Sequence, residues 1–166
     1  MKATVKEVRE KHNLGKLYDA ALGDFPCRSF NLGQQSLSSP HTDNANLAQG
    51  WCSITPLGSF DHKKGGHLIL WDFGLMIEFP AGSTVLIPSA LIIHSNTSLG
   101  TGETRFCIVQ YAAGGLFRWV ENGFMTEENW LAKASKEERQ AHDNRRNSRW
   151  ADGVEMFTKL DELRSL

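Results

Sequence analysis

Seven short segments rich in β-branched and aromatic residues occupy the middle of the chain, between residues 27 and 112. Glycine or proline separates them at close, nearly even intervals, and no helix-like stretch comes between them. The segments are CRSFNLG, AQGWCSITPLG, GGHLILWDF, LMIEFP, STVLIP, ALIIHSN and TRFCIVQYA. Short strands spaced in this way predict an antiparallel sandwich or a jelly roll.

Both ends of the chain are typical of helices. Residues 2–23 place apolar side chains among charges and are interrupted near Gly15, which predicts one or two short amphipathic helices. After Gly123, Thr126 is a suitable N-cap, and helix-forming residues follow with few breakers. We therefore expect a single, mainly β domain over residues 1–166. It would have a helical flank over 1–25, a β core over 26–124 and C-terminal helices over 125–166.

Composition limits the possible partners. The 166 residues are 40% apolar and 22% charged, with a net charge of −1, so no strong overall field draws the chain to nucleic acid or anionic lipid. Any nucleic-acid contact must be local. The first residues lack the apolar core of a signal peptide, and apolar runs are short, so we expect a soluble intracellular protein. Wide spacing of Cys27, Cys52 and Cys107 predicts buried thiols rather than zinc ligands or disulfides.

The tripeptide His41-Thr42-Asp43, within SSPHTDNANL, is half of a possible metal site. Side chains at i and i+2 of an extended strand project from the same face, so His41 and Asp43 could reach one ion. Two histidines and one carboxylate leave three adjacent positions open on a metal, as in non-haem Fe(II) oxygenases. A second histidine must then come from elsewhere in the chain.

We favour His94 as that third ligand. His12 and His142 fall in the helical flanks and His62 in a loop, where solvated histidines are expected. His67 opens a strand and could face either side. His94 ends the apolar segment LIPSALIIHSN at a polar tip, as a ligand at the mouth of a barrel would. The alternative is a half-buried histidine bonded to a backbone carbonyl.

Arg105 opens the last apolar segment, after the turn GTGE. We expect its strand to return beside the one carrying His94, with Arg105 pointing inward like alternate residues up to Tyr111. A buried arginine is costly unless it meets an anion, and its planar fork matches a carboxylate. The distal carboxylate of 2-oxoglutarate would suit it. The alternative is an ion pair with Glu103 or Glu78.

Further motifs extend these candidates in order along residues 30–124: HTD, GGHLILWD, FPAGSTVLIPSALIIHSN, GETRFCIVQY and GGLFRWVENGF. Together they resemble the compact TET/JBP-type dioxygenase domains of mushroom-forming fungi. The resemblance implies a double-stranded β-helix enzyme that uses dioxygen, with Fe(II) on His41, Asp43 and His94 and 2-oxoglutarate on Arg105. It also implies a nuclear protein that oxidises methylated bases in DNA, usually 5-methylcytosine to hydroxymethyl and further products, as in DNA demethylation.

Three asparagines are candidate contacts for co-substrate and substrate. In related oxygenases an asparagine about ten residues before the H-x-D motif lies against the co-substrate, and Asn31 has that spacing, although it also suits a turn. Asn44 and Asn46 follow Asp43 directly, and an amide can both donate to and accept from a base edge. Ordinary turn chemistry explains these two residues about as well.

Stacking and phosphate contacts have weaker candidates. Aromatic residues that could stack on a base, or simply belong to the core, are Trp51, Phe60, Trp71, Phe117 and Trp119. Residues 133–149 carry six Lys or Arg against three Asp or Glu, and Arg145, Arg146 and Arg149 cluster at their end. This stretch could contact a phosphate backbone or be a solvated helix face.

Two other functions remain open at this point. The first is an Fe(II)/2-oxoglutarate hydroxylase of a protein or small molecule, which the lack of positive net charge slightly favours. The second is a jelly-roll binding module without catalysis. A complete ligand set together with Arg105 argues against that module, because a non-catalytic protein would be under no constraint to keep all four residues.

Overall fold

Antiparallel sheets and helices build this protein. The computed structural model describes residues 2–14 and 25–164, and the chain divides into two units, Met1–Gly114 and Gly115–Leu166. In the described part of the first unit, helix α1 (Lys2–Lys11) precedes strands β1 (Cys27–Asn31), β2 (Cys52–Ser59), β3 (Leu68–Leu70), β4 (Leu75–Ile77), β5 (Val85–Ile87), β6 (His94–Asn96) and β7 (Thr104–Tyr111). The possible second N-terminal helix falls mostly on residues 15–24, outside the described residues. The single-domain organisation stays a prediction.

The strands form two antiparallel sheets. The four-stranded sheet has the order β1-β7-β2-β5 and the three-stranded sheet the order β4-β3-β6. Strand β7 is central to the larger sheet, pairing with β1 on one side and β2 on the other. Each of the seven segments expected to hold a strand contains one, which confirms the strand predictions.

Buried apolar side chains from both sheets form one cluster in the first unit. Its members are Cys52, Ile54, Leu68, Leu70, Phe79, Ile87 and Cys107. Leu68 and Leu70 show how strand periodicity produces it: they are alternate residues of β3 and point to the same side, with the less buried Ile69 between them. Burying each such leucine contributes about 1.5 to 3 kcal/mol. The cluster includes Cys107 of β7, the strand that carries Arg105, and Leu70 of β3, which pairs with His94.

Three expectations about the β region are corrected. Strand β6 begins at His94 rather than ending there, because residues 88–92 form a turn in which the Leu91 and Ile92 N–H groups donate to the Pro88 carbonyl. Strand β7 does not return beside β6, which pairs with β3 in the other sheet. The β region ends at Tyr111 rather than near residue 124, since a helix follows almost at once.

Helices make up the described part of the chain after the last strand: α2 (Gly114–Glu121), α3 (Glu127–Lys133), α4 (Lys136–Val154) and α5 (Leu160–Arg164). Helices α1, α2 and α4, with 10, 8 and 19 residues, already hold more of the described residues than the seven strands do together. The protein is therefore a mixed helix and antiparallel-sheet protein rather than a mainly β one. No helix in the described ranges is long and apolar enough to cross a membrane.

Local sequence signals explain where two of these helices begin. Thr126 caps α3 as predicted, accepting a backbone N–H of the first turn. Ser135 and Glu138 form a reciprocal capping box at the start of α4. One expectation in this unit is wrong: His142 is not solvated but only 6% exposed, with its ring 4.7 Å from that of Trp130. The imidazole therefore packs beside an indole ring instead of facing solvent.

Candidate metal centre and carboxylate pocket

Three possible metal ligands converge in the first unit. One ligand atom from each of His41, Asp43 and His94 lies within 4.8 Å of the other two. His41 Nε2 is 3.5 Å from Asp43 Oδ1, and the two imidazole centroids are 4.4 Å apart. No second group of three such side chains occurs among residues 2–14 and 25–164. The structure thus brings together the three residues nominated from the sequence.

Backbone hydrogen bonds place the two histidines side by side. The His41 N–H donates to the His94 carbonyl at 3.1 Å, and the His94 N–H donates to the His41 carbonyl at 2.9 Å. The other side of His94 pairs with Leu70 of β3. We expect from the sequence that His41 and Asp43 share a strand, but in the structure they do not. Instead His41 forms this isolated bridge, and the Asp43 N–H donates to the Ser89 carbonyl at 2.9 Å.

Hydrogen bonds at Nδ1 determine which ring nitrogens can bind a metal. His41 Nδ1 is 2.7 Å from the Ser39 carbonyl oxygen, and His94 Nδ1 is 2.9 Å from that of Ile92. A carbonyl oxygen only accepts, so Nδ1 carries the proton in the neutral ring and Nε2 keeps its lone pair. Metal-ligating histidines are commonly oriented in this way. Bonding to a backbone carbonyl is therefore compatible with a ligand role here.

The carboxylate of Asp43 is held by a residue from the same loop. Asn46 Nδ2 donates to Asp43 Oδ2 at 3.1 Å and to Ser89 Oγ at 3.2 Å. The Asn46 N–H also donates to the Asp43 carbonyl at 2.9 Å. Sequence reasoning missed Ser89, because nothing local to Pro88-Ser89 indicates that the chain folds back to Asp43.

Arg105 is buried with an unsatisfied donor. The residue is 3% exposed, its Nη1 donates to the Ser36 carbonyl at 2.8 Å, and the buried Nε has no hydrogen-bond partner. No carboxylate in the described ranges forms an ion pair with it. Of the two alternatives, Glu103 accepts backbone N–H groups through both oxygens, and Glu78 lies 3.6 Å from His62. The Arg105 guanidinium can therefore still donate a hydrogen bond to an anionic ligand.

One cavity of about 560 Å³ connects these groups. It is lined by His41, Asp43, His94 and Arg105, together with polar and apolar side chains of β1 and β7. Burial lowers the pKa of the Arg105 guanidinium, an effect that the nearby Cys107 partly offsets. A desolvated cation is stabilised by an anionic ligand, and the volume is in the range of small-molecule sites.

The other nominated polar residues lie in or beside this cavity. Asn31 ends β1 opposite Cys107 and lines the cavity. Asn44 and Asn46 also line it, although the Asn44 Oδ1 accepts a hydrogen bond from Thr42 Oγ1 at 2.8 Å. Their roles toward co-substrate or substrate stay predictions.

The nominated aromatic and basic residues are more scattered. Trp71 is half exposed, and its Nε1 donates at 3.0 Å to Ser95 Oγ, a residue that lines the cavity. In the second unit the Trp119 ring packs edge-on against Phe124, at 4.9 Å between centroids. Arg149 forms an ion pair with Glu121 there, so part of the basic cluster is already neutralised.

Two solved structures are similar to part of this chain at low sequence identity. No protein-family model matches the chain, and no curated protein matches it. Among solved structures, NgTET1 in complex with 5mC DNA is similar with a TM-score of 0.48 and 20% identity, over 66% of this chain and 42% of that one. The viral collagen prolyl hydroxylase of Paramecium Bursaria Chlorella virus-1, a 2OG complex, is similar with a TM-score of 0.38 and 14% identity, over 65% and 70%.

The low TM-scores and identities mean that the chemistry of this protein must be inferred from the residues of the site. The chain spans less than half the length of the NgTET1 chain, and both TM-scores are below 0.5, so neither likeness assigns a function. What the cavity offers is two imidazole nitrogens and a carboxylate oxygen for one metal ion. A buried arginine in the same cavity can bind an acidic ligand.

Proposed function

We propose that this protein is an Fe(II)- and 2-oxoglutarate-dependent dioxygenase with a double-stranded β-helix core. Its proposed substrate is a methylated base in DNA, with 5-methylcytosine converted to 5-hydroxymethylcytosine and further products. One observation carries the proposal: a single cavity contains three convergent metal ligands and a buried arginine without a carboxylate partner among the described residues.

The residues present fit the metal. Two neutral imidazoles and one carboxylate suit Fe(II), with Mn(II) and Ni(II) as substitutes, and leave adjacent positions for a chelating oxo acid. When bound, iron and 2-oxoglutarate would supply the power to oxidise a methyl group with dioxygen. His41 and His94 would each bind the metal through Nε2, since Nδ1 of each ring is hydrogen-bonded to a backbone carbonyl. Asp43 contributes negative charge beside them.

Arg105 would orient the co-substrate. Its Nη1 is fixed to the Ser36 carbonyl, which leaves the unpartnered Nε for the distal carboxylate of 2-oxoglutarate. Because the Arg105 residue is only 3% exposed and its Nε is buried, water competes little for that bond. Asn31 lines the same cavity and is the proposed second contact of the co-substrate.

The orientation of the Asn46 amide favours a substrate base that carries an amino group. Its Nδ2 faces Asp43 Oδ2, which as an ionised carboxylate only accepts. Asn46 Oδ1 therefore remains, without a hydrogen-bond partner in the described part of the chain, and it can only accept. On the edge that faces the major groove in a duplex, cytosine and adenine offer an exocyclic amino donor, whereas thymine offers a carbonyl oxygen. We propose that Asn46 and Asn44 hold the extruded base.

The test is product analysis. Purified protein with Fe(II) and 2-oxoglutarate is incubated with duplex DNA containing 5-methylcytosine, and nucleosides are identified by mass spectrometry. Parallel samples contain DNA with N6-methyladenine, methylated RNA and free nucleosides. We expect oxidised cytosines from methylated DNA, and none from His94→Ala.

The alternative is a hydroxylase of a protein or small molecule, which the net charge of −1 favours. Turnover of 2-oxoglutarate with such a substrate, while methylated DNA stays unaltered, would replace the DNA proposal. If the parent protein has no activity on DNA, there is also no reason to propose a nuclear location.

A further inference from the structure

Two residues hold Asp43: Ser89 and Asn46 both bond its backbone, and Asn46 also bonds its carboxylate. Its N–H donates to the Ser89 carbonyl and its carbonyl accepts from the Asn46 N–H, each at 2.9 Å. The Asn46 amide then bridges Asp43 Oδ2, at 3.1 Å, and Ser89 Oγ, at 3.2 Å. Asp43 is thus held at both its backbone and its carboxylate.

The bridge makes the two carboxylate oxygens of Asp43 unequal. Oδ2 accepts a hydrogen bond from the Asn46 amide, whereas Oδ1 lies 3.5 Å from His41 Nε2, the ring nitrogen available to a metal ion. A carboxylate can bind a metal ion through one oxygen or both. Engaging Oδ2 in a hydrogen bond favours binding through Oδ1 and keeps more of the metal's positions open.

Ser89 acts from behind the site rather than within it. Its residue exposure is 1%, and it is not among the residues that line the cavity. Asn46 is itself fixed by an antiparallel bridge to Ala113. Ser89 and Ala113 therefore fix Asn46, and through it Asp43, from outside the cavity.

We propose that Asn46 and Ser89 are positioning residues that hold Asp43 as a one-oxygen metal ligand. The inference rests on the proposed function, because it requires that His41, Asp43 and His94 bind a metal ion. It assigns to Asn46 Nδ2 a task separate from the proposed substrate contact through Oδ1. It assigns to Ser89 the task of keeping the Asn46 amide turned toward Asp43.

Cobalt(II) binding to the full chain tests this directly, since its visible absorption reports both affinity and coordination. Asn46→Ala and Ser89→Ala should each weaken Co(II) binding by about 10- to 100-fold and change the spectrum. Because both act through one amide, the double variant should bind no more than about threefold more weakly than Asn46→Ala alone. Thermal unfolding of the metal-free proteins shows whether each variant is folded.

Asn44→Ala is the matched control. Asn44 is an amide on the same loop that lines the same cavity, but its side chain bonds Thr42 rather than Asp43. Its Co(II) affinity and spectrum should match those of the parent within about threefold. A loss as large as that of Asn46→Ala would mean that the loop, and not the bond to Asp43, is responsible, and the inference would be wrong.

Other outcomes separate this inference from the proposed function. A parent that binds Co(II) while both Asn46→Ala and Ser89→Ala bind it equally well overturns the positioning role and leaves the metal site intact. Losses that multiply in the double variant overturn it as well. A parent that binds no Co(II), Fe(II) or Mn(II) overturns the proposed function, and the positioning role with it. Should Asn46→Ala fail to fold, Ser89→Ala, which removes one oxygen atom, decides alone.

Discussion

His94 connects two roles at the residue scale, since its backbone pairs with His41 and Leu70 while its ring supplies a candidate metal ligand. Substitution by alanine keeps the backbone pairing and removes the imidazole, with Nε2 and with the Nδ1 hydrogen bond to the Ile92 carbonyl. We expect His94→Ala to weaken Fe(II) or Mn(II) binding by more than about 100-fold, beyond the usual effect of residues that only support a ligand. Anaerobic titration calorimetry measures this.

His67→Ala is the control for that titration. His67 Nδ1 lies 3.2 Å from Thr97 Oγ1 and the residue is outside the ligand group, so metal affinity should be unchanged. If His94→Ala binds metal as tightly as the parent and His67→Ala weakens binding instead, His67 rather than His94 is the third ligand.

Arg105 should determine the affinity for 2-oxoglutarate. A charge-assisted contact from its guanidinium is worth about 1.5 to 3 kcal/mol, roughly ten- to a hundredfold in the dissociation constant. We expect Arg105→Ala to raise that constant accordingly and to leave metal binding unchanged. Arg105→Lys, which keeps the charge and loses the planar fork, should give an intermediate loss. An unaltered co-substrate requirement in Arg105→Ala would rule out this role.

The buried Cys52 thiol makes stability depend on pH. Burial raises the pKa of Cys52 from 9.0 to about 11, so the folded state holds this proton more tightly than the unfolded chain. The resulting stabilisation is present below pH 9 and is lost as the pH rises from about 9 to about 11. For Cys52 the loss is about 2 to 3 kcal/mol.

Urea unfolding of the parent and Cys52→Ala at pH 8 and pH 11 isolates this contribution from that of other groups. The stability advantage of the parent over the variant should shrink by that amount at the higher pH. An advantage that stays constant between the two pH values would show that Cys52 titrates alike in folded and unfolded chains.

At the scale of elements, the pairing of β2 with β7 positions Arg105. Gly58 lies opposite Arg105, has φ +117°, and a Cβ added there would lie 2.3 Å from the Thr104 carbonyl oxygen. Since a side chain fits neither this φ nor this space, Gly58→Ala should destabilise the protein by at least about 1 to 3 kcal/mol. Denaturant unfolding measures the change.

The comparison for Gly58→Ala is Gly33→Ala. A Cβ at Gly33 would meet no atom within 4 Å, so stability should change by less than about 0.5 kcal/mol. Equal stability of the two variants would show that β2 can move away from β7 at Gly58 without cost. In that case the close approach would not fix Arg105.

At the scale of the whole molecule, a net charge of −1 leaves DNA attraction to local basic residues. On α4, Arg149 is paired with Glu121, while Arg145 and Arg146 are exposed. If these two contact phosphates, the logarithm of DNA affinity should fall with the logarithm of salt concentration with a slope of about −2. Fluorescence anisotropy over a salt series measures this slope.

The double variant Arg145→Ala/Arg146→Ala should reduce that slope to near zero. Lys6→Ala removes a lysine that already lies 3.7 Å from Glu10 on α1, and it should leave the slope as in the parent. A slope that the double variant leaves unaltered would place the phosphate contacts elsewhere.

Local sequence determined the elements and the chemically active residue types. Short runs rich in β-branched and aromatic residues between glycines and prolines favour a strand, and all seven segments contain one. The helix cap at Thr126 depends only on its own next turn and was equally readable. The H-x-D spacing, a distant His94 and Arg105 nominated the candidate site because few other roles need that combination of side chains.

Only the tertiary structure decided how these elements meet. Pairing of β6 with β3 and of β7 with β1 and β2 joins residues far apart in sequence, and many pairings satisfy the same local pattern. Ser89 lies behind Asp43 although the two residues are 46 positions apart in the sequence. This contact and the packing of His142 beside Trp130 follow from tertiary packing alone. Such contacts lower the free energy only after the chain has folded back, so no short stretch of sequence encodes them.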